Sequence, residues 1–100
     1  MSITVYFQAT NMTPEMYDAC LDRLAAAGAG APAGREYHTC FDAEGRLAVV
    51  DVWTSLEEFE AFGEILMPIL DELGIESPEP QIAENYNIIV KGQRSKAAGG

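Results

Sequence analysis

One hundred residues, 48% of them hydrophobic and 22% charged, make a globular chain of one domain's size and not a disordered one. The net charge is −10, and with Lys91, Arg94 and Lys96 all near the C-terminus, residues 1–90 carry 3 basic against 16 acidic side chains, a net −13. An acidic body repels phosphate backbones, and the apolar runs fall far short of the roughly 20 residues that span a bilayer, so nucleic acid and membrane are excluded as partners.

The opening MSITVYFQATN has no positive n-region and no small-residue cleavage site, and it reads as a strand. Ile3, Val5, Phe7 and Ala9 fall on one face, Thr4, Tyr6 and Gln8 on the other. Thr13-Pro14-Glu15 then opens a helix, with Thr13 as cap and Pro14 at the first helical position. Met16, Tyr17, Cys20, Leu21 and Leu24 form its apolar stripe, and the Gly-rich stretch 28–34 ends it.

Residues 35–42 and 46–53 read as two strands of a hairpin around Asp42-Ala43-Glu44-Gly45. A type I turn with Gly45 in a left-handed bulge is the expected form. Thr54-Ser55-Leu56-Glu57 reads as a capping box for a second helix, whose Leu56, Phe59, Phe62, Leu66, Ile69, Leu70 and Leu73 face the core. Pro68 is expected to kink or break it near Glu64, and Gly74 to stop it. Residues 81–90 make a last strand, and 91–100 are expected to be a disordered tail. Cys20 and Cys40 have no CxxC or metal-ligand spacing, which predicts reduced thiols, a cytoplasmic location and no metal site.

The order strand, helix, strand, strand, helix, strand predicts an α+β, ferredoxin-like domain over residues 1–90, with both helices on one face of a four-stranded antiparallel sheet. The other face keeps apolar and aromatic side chains, so a homodimer that stacks two sheets is expected to close a barrel around a pocket.

The block His38-Thr39-Cys40-Phe41-Asp42, Glu44-Gly45, Asp51-Val52-Trp53-Thr54-Ser55, then Phe59, Phe62 and Leu66-Met67-Pro68, resembles small proteins of the dimeric α/β-barrel superfamily, close to the antibiotic-biosynthesis monooxygenase-like group. The resemblance covers about residues 2–90 and implies cofactor-independent chemistry on an aromatic or polyketide-like ligand, by an oxygenase or a cyclase. It also implies a tryptophan, here Trp53, in or near the cavity. A non-catalytic ligand-binding homodimer is the alternative, and haem binding through His38 a weaker one.

His38, the sole histidine, is a candidate general base, or else a strand residue with one satisfied hydrogen bond. Asp51 stands in an aliphatic run, where a carboxylate is costly unless paired, and is a candidate base or partner of His38. Tyr6, Tyr37, Trp53, Asn85, Tyr86 and Asn87 are candidate substrate-binding residues. Trp53 reads first as a core anchor at the strand end, and second as a pocket residue that stacks on a planar ligand. The bulged turn places His38 opposite Val50 and Tyr37 opposite Asp51. A two-residue turn at Glu44-Gly45 would instead put His38 opposite Asp51.

Overall fold

The computed structural model describes residues 1–76 and 78–90, and the backbone of 93–96. Strands β1 (Ile3–Gln8), β2 (Arg35–Ala43), β3 (Arg46–Trp53) and β4 (Gln81–Glu84) form a four-stranded sheet in the order β2-β3-β1-β4. The pairings β1–β3, β1–β4 and β2–β3 are all antiparallel. Helices α1 (Pro14–Ala26) and α2 (Leu56–Leu73) cover one face, giving the ferredoxin-like α+β architecture. Among the described residues no helix is long and apolar enough to cross a membrane.

Local chemistry explains the helix ends. Thr13 accepts the amide N–H of Met16 at 3.1 Å, and Pro14 sits where its missing N–H costs nothing. In α2 the cap lies one residue later than the sequence pattern suggests: Ser55, not Thr54, accepts from the amide of Glu58 at 3.2 Å. The box is therefore Ser55 with Glu58, and Ser55 holds the extended backbone that leads into the helix. Pro68 does not break α2. It and Glu64, whose carbonyl loses its amide partner, are both exposed, so water can take that bond.

The hairpin departs from the expected bulged turn. Ala43 pairs with Arg46 around a two-residue loop, and Glu44 (φ 56°) and Gly45 (φ 89°) both have positive φ, as a type I′ turn requires. This turn matches strand twist, and the Asp42 carboxylate accepts the Gly45 N–H at 2.8 Å. The expected register is thereby overturned. His38 faces Asp51, Cys40 faces Val49, and Tyr37 faces Val52. An extra residue, Glu36, is accommodated instead at the far end of β2, between Arg35 and Tyr37.

The helix-covered face carries Ile3 and Val5 of β1, Val49, Asp51 and Trp53 of β3, and His38 and Cys40 of β2. The opposite, uncovered face carries Tyr6, Tyr37, Thr39, Phe41, Val50 and Val52. The expected single strand 81–90 is divided at Asn85-Tyr86 into β4 and β5 (Asn87–Val90), and β5 pairs with β6 (Gln93–Lys96). Asn85 turns the chain by binding Ser2 and Thr4 at the start of β1. The expected tail thus includes the β6 backbone, and residues 91, 92 and 97–100 lie outside the described residues.

Candidate functional site

The register places the two candidate catalytic residues side by side beneath α1. His38 Nδ1 lies 2.5 Å from Asp51 Oδ1, and His38 Nε2 lies 2.6 Å from the Tyr17 hydroxyl. The indole N–H of Trp53 donates to Asp51 Oδ2 at 3.3 Å. A carboxylate only accepts, so Nδ1 carries the proton toward Asp51; in the neutral tautomer that this selects, Nε2 presents its lone pair to the Tyr17 O–H. Four side chains on α1, β2 and β3 thus form one chain of hydrogen bonds, Tyr17–His38–Asp51–Trp53.

Asp51 is 6% exposed and is the buried charged residue of the core. Its two donors compensate for the loss of water. Burial pushes the Tyr17 phenol above its ordinary pKa, with Cys40 and Asp51 adding to the shift and Arg35 opposing it. Tyr17 therefore stays protonated, as donation to Nε2 needs. The Tyr17 and His38 rings are parallel, with centroids 6.1 Å apart.

Asp51 also lines an apolar cavity of about 190 Å3 between the sheet and α2, together with Val5, Phe7, Phe59, Phe62, Leu66 and Leu70. A smaller void of about 40 Å3 on the α1 side touches Tyr17, His38 and Asp51. Asp51 is common to both, so the hydrogen-bonded chain and the cavity meet at one carboxylate.

The remaining candidates lie elsewhere. Trp53 is 0% exposed and packs edge-on to Phe59 at 5.7 Å and tilted to Phe62 at 5.2 Å. It is a core anchor whose N–H serves the site. Tyr6 lies on the uncovered sheet face, 6.5 Å from Phe41, and Tyr37 is 53% exposed on the same face. Asn85 is engaged with Ser2 and Thr4, Tyr86 is 92% exposed, and Asn87 opens β5. None of these five lines the cavity beneath α2.

Sequence reasoning missed Tyr17, Gly63 and Met67. Tyr17 reads as core because it falls on the α1 stripe. The available signal is that a phenol in such a stripe needs a hydrogen-bond partner, and this chain has one histidine to offer.

No protein-family model matches the chain, and no curated protein matches it. Solved structures do. SnoaB, a cofactor-independent oxygenase from Streptomyces nogalater, superposes with a TM-score of 0.58 at 19% identity, covering 84% of this chain and 91% of that one. A candidate antibiotic biosynthesis monooxygenase from Chloroflexus aurantiacus J-10-fl gives 0.56 at 16% identity over 83% and 91%. A conserved protein from Methanosarcina mazei Go1 gives 0.56 at 12% identity over 83% and 89%. The chain shares the ferredoxin-like α+β fold of these solved structures, the oxygenase SnoaB and the candidate antibiotic biosynthesis monooxygenase among them.

Proposed function

We propose that the chain is a cofactor-independent enzyme that abstracts a proton from a small aromatic or polyketide-like ring held in the cavity beneath α2. The observation that carries this reading is the Tyr17–His38–Asp51 chain ending at that cavity. Asp51 fixes the tautomer of His38 and stabilises the imidazolium that forms, as a carboxylate does in other histidine-based sites. Tyr17 and His38 line the smaller void on the α1 side, so a ring that reaches past Asp51 from the cavity into that void gives its proton to the Tyr17 oxygen while the phenol proton passes to Nε2, or gives it to Nε2 directly where the ligand displaces the phenol. A carbanion next to an aromatic ring then reduces dioxygen. A C–O bond forms, and loss of water converts the ring CH2 to a carbonyl, so that CH2 and O2 become C=O and H2O. The same enolate could instead close a ring on an internal carbonyl.

The test is oxygen uptake on a panel of one- to three-ring phenols and anthrones. His38→Gln should lower kcat by about 10²–10⁴, the usual worth of a general base, with KM changed little. Full turnover by His38→Gln on every accepted substrate would discard the proposal.

A non-catalytic ligand binder is the second reading. It is favoured by the satisfaction of the buried side-chain polar atoms among the described residues and by the apolar cavity lining. Haem fits poorly, since both His38 nitrogens are engaged and Tyr17 would have to leave Nε2 before iron could bind.

We further propose that two copies pair through the uncovered sheet face in the cytoplasm. Tyr37, Phe41, Ile89 and Val90 are exposed there or on the adjoining β5, and a cleft of about 740 Å3 separates Val50 and Val52 from β5. A patch of this kind is stabilised by burial against a second sheet. The free thiols of Cys20 and Cys40 suit a reducing compartment. Light scattering should return twice the 10.8 kDa mass of the chain, and a monomer at micromolar concentration would refute the pairing.

A further inference from the structure

Gly63 sits inside α2, where a glycine destabilises a helix by about 1 kcal/mol relative to alanine. Neither of the ordinary reasons for glycine applies. Its φ is not positive, unlike that of Gly28, Gly45 and Gly74. Nor does it make room for another part of the protein: a Cβ built at Gly63 meets nothing within 4 Å, whereas one at Gly34 would lie 2.5 Å from the Glu58 side chain. Gly63 itself lines the cavity that Asp51 also lines.

Phe59, Gly63 and Met67 follow one another at intervals of four residues, so they form one ridge along the helix, and all three line the cavity. Gly63 is a notch in that ridge. A phenyl ring stands on one side of it and a thioether, a good partner for aromatic surface, on the other. The charged side chains lining the cavity are Asp51 and Glu79, both carboxylates. They disfavour an anion and favour a ligand that donates a hydroxyl toward Asp51. The volume, about 190 Å3, exceeds the roughly 150 Å3 that admits benzene and stays below the usual range for drug-sized ligands.

We infer that Gly63 is a specificity-determining residue: its missing side chain is the space in which an uncharged, flat, hydroxyl-bearing ring system of one or two fused rings lies against α2. The inference deepens the proposed function by naming its ligand class, yet it concerns binding and does not require turnover.

The experiment is calorimetric titration of the full chain with 2-naphthol, phenol and 2-naphthoate, on wild type, Gly63→Ala and Gly63→Leu. Wild type should bind 2-naphthol and discriminate against 2-naphthoate. Gly63→Leu should weaken 2-naphthol by about tenfold or more, the scale on which methylenes in an apolar pocket discriminate, and weaken phenol less. Gly63→Ala should shift binding the same way by a smaller factor, while its melting temperature rises by several degrees, about 4–8 °C for 1 kcal/mol. Because alanine strengthens the helix, that variant keeps the test sound if leucine perturbs folding. Unchanged 2-naphthol affinity in Gly63→Ala and Gly63→Leu would overturn the inference, as would absence of binding to wild type. Binding that responds to Gly63 without oxygen uptake on the panel of phenols and anthrones would uphold it and sink the oxygenase reading instead.

Discussion

Asp51→Asn should leave the protein folded, cost it about 1 kcal/mol, and lower turnover by two to four orders of magnitude. The amide has nearly the shape of the carboxylate, so the packing around it is kept. Its hydrogen-bonding capacity is different. Asp51 now accepts from both His38 Nδ1 and the Trp53 indole. An asparagine has one accepting atom and one donating group. If its oxygen stays with the Trp53 N–H, its NH2 faces His38 and needs a lone pair on Nδ1. The imidazole then carries its proton on Nε2, donates to Tyr17, and has no base left to offer. The same exchange in Ser-His-Asp triads lowers kcat by about 10⁴ through the wrong tautomer. Because His38 is the sole histidine, its ring nitrogens can be read without overlap by 15N NMR, alongside urea melts and oxygen uptake. The expected result is a proton moved from Nδ1 to Nε2. Retention of the Nδ1 proton together with wild-type turnover would refute the role given to Asp51. Asp51→Ala is harsher, since it leaves the buried indole N–H without an acceptor, at about 1–3 kcal/mol, in addition to a void.

How far the sequence reveals this site depends on one turn. The alternation in β1, the caps, and the order of elements are local properties, so they are readable and lead to the observed fold. The hairpin register is not local in the same sense. Asp42-Ala43-Glu44-Gly45 is compatible with a bulged turn or a two-residue turn, and a preference for the former puts His38 and Asp51 on opposite faces. The two-residue turn prevails although Glu44 must adopt a positive φ, a conformation more at home in Asn or Gly. The compensation lies across the strands, where that register sets His38 and Cys40 on the helix-covered face beside Asp51 and Val49 and keeps Asp51 on His38. Tyr17 is hidden for a different reason. Its position on the α1 stripe says only that it faces inward; what it meets there is set by the β2 register, some twenty residues away. The cavity shifts as well. The expected pocket lay between two sheets, whereas His38, Asp51 and the α2 void lie between sheet and helices within one protomer.

Trp53→Ala should destabilise the domain by about 3–5 kcal/mol, the range for deleting a fully buried large aromatic. Against a total of about 5–15 kcal/mol for a domain of this kind, that loss takes much of the folding free energy. Trp53 is completely buried at the end of β3, opposite Ile3 on one side and Arg35 on the other, and α2 reaches the sheet through its contacts with Phe59 and Phe62. Removing the indole therefore loosens α2 where it walls the cavity, and it also takes a donor from Asp51. Trp53→Phe separates these two effects: it keeps most of the ring area and lacks the N–H. Its cost should be about 1–2 kcal/mol, from the lost bond and the slightly smaller ring. Urea unfolding must be followed by far-ultraviolet circular dichroism, because the sole tryptophan is the residue removed. A midpoint for Trp53→Ala close to that of wild type would contradict the anchoring role. Equal losses in Trp53→Ala and Trp53→Phe would show that the bond to Asp51, and not the packing of α2 on the sheet, is what Trp53 contributes.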